Sequence, residues 1–271
     1  MTTSPAGERF QTGAEKYAAY LETPEGRLRT DLAFANVQEF LQSQAGHSLN
    51  ALDIGGGTGA VAVRLARLGL HVTLVEPSRE MLDIAGRASK QASVEGKIAL
   101  KHGDANQLQN LFDAHSFDVI LCHNVLEYVD DANAVLRNFA RLMRDSSSVL
   151  SVLVRNRAGE VLKSAILGGD LEDAEKNLTA ESVKENLYGG RSRLFSRDAL
   201  LASLKAASLE AIALRGVRSV SDYLPAKVNR NHDYDRIFEL ERELGRRADF
   251  AAVARYIHCL ARCVNIGEAR G

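Results

Sequence analysis

Cysteine is scarce in this chain: three in 271 residues, Cys122, Cys259 and Cys263. Three thiols build no disulfide framework, so the fold must be held by its core, and a reducing cytoplasmic compartment is expected. Charge of one sign is also lacking, since 34 Lys and Arg against 35 Asp and Glu leave a formal net charge of −1. That balance disfavours a protein that coats nucleic acid, which relies on dense Lys and Arg, yet leaves room for an enzyme with one basic face. No apolar run approaches the roughly 18 uninterrupted residues of a membrane span. The opening MTTSPAGERF has neither an apolar core nor an Arg-rich amphipathic pattern, so no export or organelle signal is expected. What is present is ordinary for a well-cored domain: 45% hydrophobic and 25% charged residues.

Along the chain, Glu8 to Gln44 reads as helix, with Pro24 opening a second helix after a break at ETPEGR. From Asn50 the texture alternates. NALDIG is a short apolar strand and AVAVRLARLG a helix closed by Gly69; HVTLVEP is a buried strand and SREMLDIAGRASKQA a helix capped by Ser78. KIALKHGD, SFDVILCHN and SSVLSVLVRN are further strands, with the helix ANAVLRNFARLMR before the last. Strands that are almost continuously apolar, separated by helices, predict a parallel sheet covered on both faces. Residues 157–195 break the alternation and read as a helical cap inserted between strands. A Ser196-capped helix, the strand EAIALRGVRSV, the amphipathic helix DYDRIFELERELGRR and the strand VARYIHCLARCVN follow. Cys259 and Cys263 are four apart on that last strand with His258 on its other face, a spacing that suits buried thiols better than zinc, and no metal is expected.

The stretch LDIGGGTGAVAVRLARLG sets four glycines at a strand-to-helix turn. Gly55, Gly57 and Ala60 fit the dinucleotide fingerprint, with Glu76 about 20 residues on, so an NAD(P)-dependent oxidoreductase is one reading. Three features point elsewhere. Asp53 puts a carboxylate where a pyrophosphate would want none; Gly59 adds clearance in the first helical turn; and HGDA after the third strand offers Asp104 to an adenine amino group.

LDIGGGTG, VEP, HGDA and FDVILCHNVLEYV together resemble the class I S-adenosylmethionine-dependent methyltransferases. The resemblance implies a doubly wound, seven-stranded Rossmann-like α/β sheet in the order 3-2-1-4-5-7-6 with its last strand antiparallel. It divides the chain into an N-terminal helical lid, residues 1–47, and a methyltransferase domain, residues 48–271, carrying the cap. The implied cofactor is S-adenosylmethionine, released as S-adenosylhomocysteine. Its implied site is Asp53, Gly55, Gly56, Gly57 and Gly59 around the methionine part, Glu76 on the ribose hydroxyls, Asp104 and Ala105 at the adenine, and Arg29 and His123 as further contacts. The chemistry is consistent: a sulfonium is a cation that a nearby carboxylate favours, and a vicinal diol is well held by one carboxylate accepting two hydrogen bonds.

The likeness extends to AEKY…GRLR, CHNVLEYV, GVRSVSDYLPAK and ARYIHCLAR, which resemble the tRNA 5-carboxymethoxyuridine methyltransferase family. It implies O-methylation of a carboxylate on the wobble uridine, presented by the tRNA anticodon loop. Arg155, Arg218, Tyr223 and Tyr256, with Arg255, become candidates for positioning that acceptor. The likeness is weakest over residues 157–195, where a methyltransferase for a small-molecule acceptor would carry its lid. A non-catalytic partner subunit with the same fold is the remaining alternative, and the oligomeric state is not legible. Ten late basic residues between Arg215 and Arg262 are interleaved with acids, as on a solvated helix surface.

Overall fold

The computed structural model describes residues 13–41, 48–184 and 190–264. Two helices lead in, α1 (Ala14–Glu22) and α2 (Pro24–Leu41), and the turn at Thr23–Pro24 falls where proline fits a first helical position. The part of the first expected helix before residue 13 lies outside the described residues. Then come β1 (Asn50–Ile54), α3 (Ala60–Arg67), β2 (His71–Glu76), α4 (Arg79–Gln91), β3 (Ile98–His102), α5 (Leu108–Leu111), β4 (Val119–His123), α6 (Ala132–Leu142) and β5 (Val149–Arg155). Caps agree with the residues chosen from sequence: Ser78 accepts from the Met81 N–H and Ser196 from the Ala199 N–H.

The cap holds α7 (Arg157–Leu162), a π-helical turn (Lys163–Leu167), α8 (Leu171–Asn177) and a two-stranded hairpin of β6 (Ser182–Lys184) with β7 (Arg191–Arg193). The hairpin corrects the all-helical expectation for this insertion. Three-residue polar strands carry no apolar alternation by which they could be read. The chain closes with α9 (Arg197–Ala206), β8 (Leu209–Val217), α10 (Tyr234–Arg246), α11 (Ala248–Ala251) and β9 (Tyr256–Cys263). β8 stops three residues short of the expected end because Arg218 takes a left-handed φ of 62°.

The main sheet runs β3-β2-β1-β4-β5-β9-β8. β1 to β5 pair in parallel, and β9 runs antiparallel to both β5 and β8. This is the expected order with the last strand of the chain reversed. Leu52, Ile54, Ile120, Val152 and Val154 face α5, α6 and α9 in the larger core, around fully buried Phe139 and Leu136. On the other face Ala51, Val72, Leu74 and Leu121 meet α3, α4 and the end of α2. Leu153, Val217 and Tyr256 meet Leu28, Leu32 and Ala33 of α2 together with α10. Helix α2 is therefore built into the core.

Candidate active site

The carboxyl ends of the parallel strands open into one cavity, the expected ligand edge of an open α/β sheet. β1 ends in Ile54, with Gly55 and Gly57 in the turn after it; β2 ends in Glu76, with Pro77 after it; Gly103 to Asn106 follow β3; His123 ends β4, with Asn124 and Val125 after it; Arg155 ends β5; Tyr256 starts β9. Tyr17 of α1 and Arg29 of α2 close the side, and Met81, Tyr128 and Val129 complete the walls.

Gly55, Gly57 and Gly59 all have positive φ, at 62°, 53° and 79°. What they keep clear is mostly protein. A Cβ on Gly55 would stand 2.4 Å from Val125, one on Gly56 2.7 Å from Leu74, and one on Gly59 3.0 Å from Ala85 of α4. The missing side chains let α4 and the β4 loop close on the turn, while Gly57 presents its backbone to the cavity.

Glu76 is 3% exposed, and each of its oxygens accepts a backbone N–H, Oε2 from Gly57 and Oε1 from Ser78, both at 3.0 Å. Burial raises its pKa to about 7, against the pull of those two donors. Asp53 is equally buried, raised to about 7 by burial and then by Glu76, and its Oδ2 has no hydrogen-bond partner among the described residues. That oxygen packs against Gly56, and neither Asp53, Gly56 nor Gly59 lines the cavity. These three sit behind the cavity lining, where they shape the turn. Asp104 lines the cavity and holds the Ala105–Gln107 turn by accepting from the backbone and side-chain nitrogens of Asn106.

The opposite wall is cationic. Arg29, 8% exposed, donates to the Tyr17 hydroxyl at 3.0 Å and lies over the rings of Tyr17, Tyr20 and Tyr256. Burial opposes the Tyr256 phenolate, but Arg29, Arg218, Arg155 and Arg255 outweigh it and bring the phenol down to about 8. Of these four guanidiniums only Arg29 and Arg155 line the cavity. Arg218 donates to Asp222 Oδ1 at 2.8 and 2.5 Å and to the Tyr20 hydroxyl at 2.9 Å, and Arg255 bridges Asp222 and Glu160. Tyr223 lies off the cavity as well, its buried hydroxyl without a hydrogen-bond partner among the described residues. Arg218 and Arg255 thus stand behind Tyr256, off the cavity lining, and Tyr223 is off it with them. Replacing Arg218 by Ala should destabilise the fold by about 3–5 kcal/mol in a urea titration, because it strips buried Asp222 of one of its two cations. Other late arginines are ion-paired on the surface: Arg215 and Arg246 with Glu39, Arg230 with Glu25, Arg242 with Glu239.

A model of the methyltransferase domain matches residues 52–150, from β1 through the start of β5. The tRNA 5-carboxymethoxyuridine methyltransferase of Escherichia coli K12 is 27% identical over 260 residues, 93% of this chain and 95% of the relative. A ubiquinone biosynthesis O-methyltransferase of Maricaulis maris is 34% identical over 122 residues, 45% of this chain and 46% of that one. The chain is an S-adenosylmethionine-dependent methyltransferase. Among solved structures, the magnesium protoporphyrin IX methyltransferase of Synechocystis, with S-adenosylhomocysteine bound, superposes with a TM-score of 0.64 over 95% of this chain and 98% of its own. At 14% identity that likeness speaks for the fold alone.

Nine of the methyltransferase's expected residues therefore meet at one cavity: Arg29, Gly55, Gly57, Glu76, Asp104, Ala105, His123, Arg155 and Tyr256 line it. Tyr17, Met81, Asn124, Val125 and Tyr128 also line it and were not singled out from sequence. Asn124 had one detectable feature, a residue type tolerant of the left-handed φ of 56° that it adopts. No helix of the described residues is long and apolar enough to cross a membrane.

Proposed function

We propose that this methyltransferase esterifies a carboxylate on the wobble uridine of tRNA, acting in the cytoplasm. The observation that carries the proposal is a second guanidinium, Arg155, in the cavity that already holds Arg29. Each serves one carboxylate: Arg29 the amino-acid end of the cofactor, Arg155 the acceptor, and both act on the Tyr256 phenol. The chain-long similarity to a tRNA 5-carboxymethoxyuridine methyltransferase supports the choice of acceptor.

The residues present suit the cofactor. Glu76 offers the remaining lone pairs of both oxygens to the ribose hydroxyls, Gly57 its backbone to the methionine part, and Asp104 and Ala105 frame the adenine. S-adenosylmethionine, when bound, supplies an electrophilic methyl group on a sulfonium, a leaving group already activated. A carboxylate acceptor is anionic at neutral pH and needs no general base. His123 fits that demand: burial and then Arg29 lower its pKa to about 3, so it is a poor base. The protein's task reduces to aligning two groups and excluding water, and alignment of this kind is worth up to about 7–11 kcal/mol.

Glu76 must be ionised to accept from the ribose, so cofactor affinity should rise with pH. Its pKa of about 7 in the free protein predicts roughly tenfold tighter S-adenosylhomocysteine binding at about pH 8 than at about pH 6. The stability of the free protein moves the other way. A carboxyl pKa raised on folding contributes stability that is present below the unfolded value and is lost as pH rises through about 7. Calorimetry and melting curves across that range check both signs.

The reaction is tested with labelled S-adenosylmethionine and two tRNA pools, one carrying 5-carboxymethoxyuridine and one lacking it. Transfer is expected only to the first. The apolar walls at Met81, Val125 and Val129 would also suit a small acceptor, and transfer to a free metabolite with none to tRNA would establish that reading instead.

A further inference from the structure

Three buried side chains lead from helix α2 across the sheet to the cavity wall. Asn36 Nδ2 lies 3.1 Å from Nδ1 of His258, His258 Nε2 lies 2.7 Å from Ser151 Oγ, and Ser151 Oγ lies 2.8 Å from Nε2 of His123. Ser151 and His258 are fully buried and Asn36 nearly so. The register explains the line. His123, Leu153 and His258 form one row across β4, β5 and β9, and Ser151, two residues back on β5, faces the same side. The two imidazole rings meet edge to face at 5.3 Å.

A chain of hydrogen bonds between neutral groups has one direction. The Asn36 amide nitrogen can only donate, so His258 accepts at Nδ1 and carries its proton on Nε2. His258 then donates to Ser151, the Ser151 hydroxyl donates to Nε2 of His123, and the His123 proton resides on Nδ1. Nδ1 has no hydrogen-bond partner among the described residues, and the ring lines the cavity. We propose that Asn36, His258 and Ser151 are positioning residues that hold His123 as its Nδ1–H tautomer, a neutral donor offered to a carboxylate in the cavity. Burial keeps both rings uncharged, lowering the pKa of each far below that of free histidine. Neutrality matters here, because an imidazolium would repel a sulfonium, whereas a neutral N–H adds a hydrogen bond to an anion already attracted by Arg29 and Arg155. The recipient is a carboxylate oxygen of the cofactor or of the acceptor, and only the second possibility rests on the function proposed above.

The test uses the full-length protein with nitrogen-15 histidine. Long-range proton–nitrogen spectra should show His123 protonated on Nδ1, against the Nε2–H preference of free imidazole. Asn36→Asp keeps the side-chain size but accepts where the amide donated, so it should reverse every bond in the line and move the His123 proton to Nε2. Ser151→Ala removes one oxygen and should leave His123 a mixture of tautomers. If the cofactor carboxylate is the recipient, both variants lose about tenfold or more in S-adenosylhomocysteine affinity. Binding of methylthioadenosine, which lacks the amino-acid end, then stays unchanged. If the acceptor carboxylate is the recipient, S-adenosylhomocysteine binds normally and KM for tRNA rises about tenfold with kcat held. An Nε2–H tautomer in the parent protein, equal weakening of both nucleosides, or variants that alter neither ligand would overturn the proposal.

Discussion

Glu76→Ala is expected to weaken S-adenosylhomocysteine binding by more than a hundredfold, about 3–5 kcal/mol, for the loss of two charge-assisted hydrogen bonds to the ribose. Part of the loss comes from the turn itself, since the same carboxylate accepts the backbone N–H groups of Gly57 and Ser78. Glu76→Gln should not rescue binding. An amide replaces one acceptor by a donor, and in either orientation that donor faces a backbone donor. Melting curves of the free variants separate the two contributions, because a protein that stays folded yet fails to bind in calorimetry has lost the site alone. Undiminished binding by the alanine variant would remove Glu76 from the ribose.

The second large effect is expected at the other end of the cavity. Arg155→Ala should lower kcat/KM for the acceptor by about 3–5 kcal/mol, the cost of stripping a buried anion of its cation. S-adenosylhomocysteine affinity should hold, because Arg29 remains. Arg155→Lys keeps the charge without the planar fork and should recover part of the activity. A variant that loses cofactor binding instead would place Arg155 with the cofactor and leave the acceptor without its proposed partner. Arg29→Ala is the complementary case and should weaken cofactor binding first.

The architecture was legible from sequence where the physics is local. Strands such as ALDI and VILC are almost continuously apolar because both faces of a central parallel strand are covered, and two of the flanking helices carry their own caps at Ser78 and Ser196. The hairpin at Ser182–Lys184 and Arg191–Arg193 was not legible, being short and polar. The cavity was legible where strand ends deliver side chains directly, as with Glu76, His123 and Arg155. It misled where residue type and proximity suggested a role that packing takes away. Arg218 follows β8 beside Tyr256, but Asp222, four residues on, turns its guanidinium inward. Glu241 gave no sign of its role; fully buried, it accepts three backbone N–H groups, from Ser219, Val220 and Ser221, and fixes the loop that holds Arg218. The line from Asn36 to His123 draws on α2, β9, β5 and β4, so no segment of sequence contains it.

The chemical class of the acceptor is the most direct test of the whole account, because a methyl ester behaves unlike any other methylated product. The enzyme is given labelled S-adenosylmethionine and tRNA carrying 5-carboxymethoxyuridine, and the tRNA is recovered and treated with mild alkali. An ester of the wobble uridine releases the label as methanol and returns the free carboxylate, and that release is the predicted result. Label that stays on the nucleoside through alkali, as on a ring nitrogen, a ring carbon or a ribose oxygen, would contradict it.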